Sequence, residues 1–193
     1  MKIIDRCIDY LVYITASSES DYVLYKYAFN ILKSTILWGI ILTVIGMISG
    51  QCSVVFVIFL AIIPLRKVGG GYHLKSELAC NFASTIIMIT LLNIVLSKCI
   101  CTEFLVGAAV ISGAFELING VVDSKARPLE QYEKRRFALV TRIVLVMELI
   151  IAGILLLSGV EIYCRCILSA VIACAILQLL AIIERVFSSR QWR

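Results

Sequence analysis

The sequence predicts an all-α fold, that of a polytopic integral membrane protein with about six transmembrane helices and an N-terminal interfacial amphipathic helix. Two observations carry this. The chain has 193 residues of which 61% are hydrophobic, where a soluble domain is about 45–50% apolar, and its mean hydropathy is +1.00. The apolar residues also gather into runs near the roughly 20 residues that one crossing of a bilayer requires, and the charges fall between the runs.

Taken in order, residues 3–16 place Ile4, Ile8, Leu11, Val12 and Thr15 on one side of a helix, with Asp5, Arg6 and Asp9 mostly on another. Such a helix lies at the membrane surface or packs on the protein's own polar face. Residues 1–22 contain Asp5, Asp9, Glu19 and Asp21 and lack an uninterrupted apolar core, so no cleavable signal peptide is expected. A helix starting near Tyr22 becomes fully apolar over residues 34–48 and ends at Gly50. The second run, residues 53–65, stops at Pro64 and the basic pair Arg66 and Lys67; it is short for a crossing, so a tilted or partial passage is an alternative. A polar, glycine-rich stretch at 66–77 precedes the third run at 78–97, and the fourth covers 104–122. Residues 123–136 are the most charged part of the chain, followed by runs at 137–158 and 162–183. No soluble domain or long linker fits between them, so residues 1–193 read as a single membrane-embedded domain.

The net charge of +5 has a topological reading. If six runs alternate across the bilayer, all of the eighteen Lys and Arg except Lys98 and Arg165 fall on one side, together with both termini and the 66–77 and 123–136 segments. Positive charge collects on the cytoplasmic side, which places the termini and both charged loops in the cytoplasm. The basic surplus then needs no nucleic acid as partner.

The chemistry-bearing residues concentrate in the first of these loops. His73 is the single histidine of the chain, and it follows Gly69, Gly70 and Gly71, which favour a sharp bend over a helix. In one straight helix His73 and Cys80 would be separated by about 10 Å of rise, too far for proton transfer, so a dyad requires a turn between them. Ser76 is a candidate N-cap. It would leave His73 on the preceding loop and put Cys80 near a helix N-terminus, where the dipole and Lys75 favour a thiolate. A thiolate with an adjacent imidazole is the apparatus of cysteine peptidases, although a lone histidine is more often structural and this spacing alone is a weak signal.

Other residues stay open at this stage. The pairs Cys99/Cys101 and Cys164/Cys166, with Cys52, fall near helix ends on the side opposite the charged loops. Simple packing, a disulfide or a soft-metal site each suits them. Glu116 and Glu148 lie inside apolar runs, where a carboxylate faces the protein interior or a cavity. They are candidates to orient His73, to receive a basic substrate segment, or to pair with Asn93, Asn119 or Arg142.

The arrangement Arg66-x4-Gly71-x-His73-x6-Cys80 between two membrane helices resembles the accessory gene regulator B (AgrB) family. Lys125-Ala126-Arg127-Pro128-Leu129 resembles that family's basic, proline-containing loop, and the length and six-run layout match along almost the whole chain. The resemblance implies a multi-pass cell-membrane cysteine endopeptidase of a Gram-positive bacterium, acting in quorum sensing, with His73 and Cys80 as the catalytic pair. Its partner would be an AgrD-like precursor peptide with an amphipathic leader and an acidic tail. The tail is removed through an acyl-enzyme thioester, and the peptide cyclises to a thiolactone or lactone autoinducing peptide. Arg66, Gly71, Lys75, Lys125 and Arg127 are the expected substrate-binding residues, with no metal or cofactor. Membrane lipid and a second copy of the chain, in a homodimer, are further implied partners. The alternative is a small peptide transporter that uses Glu116 or Glu148. It predicts that loss of Cys80 is harmless and loss of the carboxylates is not. A metal-dependent protease is disfavoured by the single histidine and the lack of an H-E-x-x-H pattern.

Overall fold

The computed structural model describes residues 10, 19–70, 77–121 and 131–190. Six α-helices account for them: α1 Glu19–Ser49, α2 Cys52–Gly69, α3 Glu77–Leu96, α4 Thr102–Asn119, α5 Gln131–Leu157 and α6 Glu161–Arg190. The interfacial helix expected at 3–16 lies outside the described residues except for Tyr10, which is helical and exposed.

Five helices are long and apolar enough to cross a membrane, over Cys52–Gly69, Ala79–Leu96, Thr102–Asn119, Lys134–Leu157 and Glu161–Phe187. The remaining apolar run appears as the shorter stretch Ile36–Ser49 within α1. The chain is an all-α, multi-pass membrane protein. Its contacts divide it into two units, residues 1–44 and 45–193. In the first, Lys26 sits 5.6 Å above the centre of the Tyr22 ring one turn earlier, and Thr43 donates a hydrogen bond of 2.8 Å to the Gly39 carbonyl.

Within the second unit, glycine ends the segments where the chain must reverse. Gly50 has φ 64°. Its N–H reaches the Met47 carbonyl at 3.2 Å, and the Gln51 N–H reaches that of Gly46 at 3.0 Å, closing the last turn of α1 in the manner of a left-handed helix cap. Gly159, φ 73°, does the same after α5, with Val160 N–H bound to the Leu155 carbonyl at 3.0 Å.

The second helix corrects the sequence reading. It does not end at Pro64 but continues through it to Gly69. Proline removes one backbone donor and is tolerated inside membrane helices, where neighbouring packing compensates. With 18 residues the helix spans about 27 Å at 1.5 Å per residue, enough to cross.

The core is organised around α6, which packs against α2, α3, α4 and α5. Every residue from 164 to 171 is buried, and Cys164, Cys166, Ser169, Ala170, Cys174 and Ala175 are small. Small side chains let helix backbones approach in a medium where the hydrophobic effect does not drive helices together. Around them, Leu65, Leu145, Val171 and Cys174 form one apolar cluster; Ala61, Leu105, Ala109, Ala152 and Leu168 belong to another. The outward surface is apolar as well, with Phe82, Ile111, Ile118, Ile143 and Ile154 all exposed, as a lipid-facing surface requires.

Candidate active site

The α2–α3 connection holds most of the candidate site residues read from the sequence. Helix α2 carries Arg66 and Lys67 in its last turn. Arg66 is half-buried and Lys67 exposed. Gly69 is buried because its backbone meets α6: a Cβ there would stand 2.8 Å from Gln178 Nε2, and that amide donates a hydrogen bond of 3.2 Å to the Gly69 carbonyl. Gly70 follows with φ 74°, a left-handed conformation suited to glycine, so the chain leaves the helix there.

It returns in α3, described from Glu77, with Cys80 in the first turn of that segment. Cys80 is half-buried and a free thiol, and α3 packs against α2. Arg66 and Cys80 therefore stand at the two ends of one short connection between neighbouring helices. His73, Gly71, Lys75 and the candidate cap Ser76 lie outside the described residues, as do Lys125 and Arg127. The structure thus describes the two flanks of the motif, Arg66 and Cys80, on neighbouring helices.

The basic surface expected nearby is partly described. Arg135 and Arg136, near the start of α5, are exposed and Lys134 is half-buried. Gly120, φ 64°, stands against Ala138, with only 3.2 Å between a Cβ at Gly120 and the Ala138 Cβ. The C-terminus of α4 is thereby held to the start of α5.

Behind this surface lies a polar interior. Glu116 and Glu148 are 1% and 7% exposed, and none of their four carboxyl oxygens has a hydrogen-bond partner among the described residues. The pairings offered by the sequence are not made. Asn93 and Asn119 are exposed and donate to carbonyls four residues back in their own helices, and Arg142 is exposed. Gln178, which sequence reasoning missed, is also buried, and its Oε1 has no donor. Its signal was that of a lone amide in an otherwise apolar run, which average hydropathy hides.

At the opposite end, the cysteine pairs are free thiols. Cys99 and Cys101 are exposed, as is Cys52, while Cys164 and Cys166 are buried. Among the described residues no three His, Cys, Asp or Glu side chains converge to hold a metal ion. Arg165, one of the two basic residues expected on the side opposite the charged loops, lies at this end. It is buried, and its guanidinium donates to the carbonyls of Ile94 at 3.0 Å and Ser97 at 2.6 Å, closing the C-terminus of α3. Thr102 Oγ1 donates to Glu161 Oε1, joining the starts of α4 and α6.

The sequence pattern of the accessory gene regulator B family matches residues 4–182. The chain belongs to the AgrB family. That match runs from the N-terminal segment through most of α6, so it takes in the α2–α3 connection, the polar interior and the Arg165 cap alike. Membership assigns the protein to the agr quorum-sensing system, whose AgrB members are processing proteases. Neither the curated proteins nor the solved structures contain a match to this chain.

Proposed function

We propose that the chain is a membrane cysteine endopeptidase that cleaves the acidic tail from an AgrD-like precursor and promotes cyclisation of the remaining peptide. The observation that carries this reading is a half-buried free cysteine, Cys80, at the opening of α3, the helix that follows the glycine exit of α2 in the chain, in a member of the AgrB family.

In this mechanism His73 takes the thiol proton of Cys80, and the thiolate attacks the scissile carbonyl. The tetrahedral oxyanion collapses, the C–N bond breaks, and His73 returns its proton to the leaving amine of the tail. The thioester that remains is attacked by a Cys or Ser of the peptide. That nucleophile loses its proton to His73, and Cys80 leaves as the thiolate, which recovers the proton. Backbone N–H groups near Cys80 are the natural oxyanion donors. Exclusion of water at the membrane boundary favours the peptide's own nucleophile over hydrolysis.

The acidic tail is drawn to Arg66, Lys67, Lys75, Lys125, Arg127 and the cluster Lys134, Arg135 and Arg136, and Gly71 gives the loop room to close on it. The amphipathic leader rides on the lipid surface and brings the scissile bond to the depth of the dyad. The loop and both termini face the cytoplasm of a Gram-positive cell, and the enzyme works as a homodimer.

The test is co-expression with an acidic-tailed precursor, comparing wild type with Cys80→Ala and His73→Ala at equal membrane levels. Release of the tail by wild type and by neither variant is expected. Cleavage by Cys80→Ala would end this reading. The unpartnered Glu116 and Glu148 favour the transporter as the second reading, in which their replacement abolishes peptide export and Cys80→Ala leaves it intact.

A further inference from the structure

Glycines 69, 70 and 71 stand where α2 ends. Glycine permits the chain to leave a helix at any of the three and by itself selects none. The choice matters for the chemistry. His73 is three residues beyond Gly70, so its backbone stays within about 10–11 Å of that exit whatever path the chain takes. Moving the exit by one residue turns the origin of the loop by about 100° around the α2 axis and shifts it by about 1.5 Å.

The exit is fixed from the side, by α6. The Gly69 carbonyl is one of the last four of α2, which have no partner inside the helix. It accepts a hydrogen bond of 3.2 Å from Gln178 Nε2, and the next residue, Gly70, takes φ 74°. The contact is enclosed, with Gln178 2% and Thr141 1% exposed. A Cβ at Gly69 would stand 2.8 Å from the amide nitrogen and 3.5 Å from Thr141 Cγ2, so any side chain there would displace the amide. Thr141 spends its hydroxyl on the Phe137 carbonyl. Gln178 makes this one bond: its Oε1 has no partner among the described residues, and turning Oε1 towards Gly69 would set two acceptors against each other. A buried amide with an unmet acceptor lowers stability. Core packing does not account for it, since Leu or Met would fill much the same space without that cost.

We propose that Gln178 is a positioning residue of the peptidase. By holding the Gly69 carbonyl it sets Gly70 as the point where the chain leaves α2, and thereby the origin from which the loop brings His73 to Cys80. The proposal rests on the peptidase reading. Gln178 acts through the backbone of α2 and takes no part in the bond changes.

Steady-state cleavage of an acidic-tailed precursor by the full-length protein in lipid nanodiscs tests this, with folded enzyme counted by SDS unfolding. Gln178→Met keeps the length and removes the donor. It should lower kcat about 10²-fold, the cost of a displacement near 1 Å at a reacting centre, and leave KM within about twofold. Gly69→Ala leaves α6 untouched and should do the same by pushing the amide away. The double variant should be no slower than the slower single variant, because both changes act on one contact. Wild-type kcat in either single variant overturns the proposal, as does a loss confined to KM. A double variant slowed by the product of the two effects, about 10⁴-fold, overturns it too, since two independent packing defects behave that way. In each of these cases Cys80→Ala stays inactive and the peptidase reading stands. Cleavage by Cys80→Ala ends that reading and this proposal together.

Discussion

The two ends of the second unit differ in how far they satisfy their buried polar groups. Where α3 meets α4 and α5 meets α6, the buried Arg165 donates from Nη2 to the Ile94 and Ser97 carbonyls at the end of α3, leaving its Nε without a partner among the described residues, and the Thr102 hydroxyl donates to Glu161. Toward the α2–α3 connection, Glu116, Glu148 and Gln178 are as deeply buried, yet five of their oxygens have no donor among the described residues. The first end is built as a clamp, in which a buried charge replaces the water that helix termini need. The second retains unsatisfied groups that packing alone would have replaced with Leu or Ile. Unsatisfied buried polar groups lower stability, so these three side chains are candidates for a functional role.

Substitutions at the two ends should therefore separate activity from stability. The largest effect belongs to Cys80→Ala, which should lower precursor cleavage by at least about 10³-fold while leaving the SDS unfolding midpoint unchanged. Arg165→Leu should do the reverse. Losing a charged donor to two helix-end carbonyls costs about 2–3 kcal/mol, seen as an earlier unfolding midpoint, with cleavage per folded molecule retained. Glu148→Leu should raise stability by about 1–2 kcal/mol, since apolar replacement of a buried charge is often favourable. A destabilised Glu148→Leu protein would show that the carboxyl is satisfied after all. The smallest change is expected of Thr102→Val, about 1 kcal/mol for one hydrogen bond, measured in the same titration.

Much of this architecture was readable in the sequence, for identifiable reasons. The lipid requires long apolar runs, and Gly50 supplies the backbone angle that the first reversal needs, so the order of helices followed from local signals. Pro64 misled, because its cost in a helix depends on neighbours that the linear sequence does not show. The burial of Arg165 had no local signal: hydropathy reads its charge and cannot see two carbonyls some seventy residues earlier. The partners suggested for Glu116 and Glu148 were wrong for the same reason, since Asn93 and Asn119 lie in the right runs but on outward faces. At the candidate site, the end of α2 at the glycines followed from their backbone freedom, and Cys80 lies in the first described turn of the next helix. The close approach of Gly69 to Gln178 depends on helices more than a hundred residues apart and had no local signature.

Helix α6 is at the centre of the second unit, touching α2, α3, α4 and α5, yet the ribosome makes it after all four. Those helices must enter the bilayer with their inward stripes provisionally covered by lipid, by one another or by an insertion factor, and Glu116 and Glu148 are threaded in before Cys174 and Gln178 exist. A nascent chain stalled before residue 161 would hold α2, α3, α4 and α5 but not the helix against which all four pack, so completion of the fold is timed by the synthesis of α6.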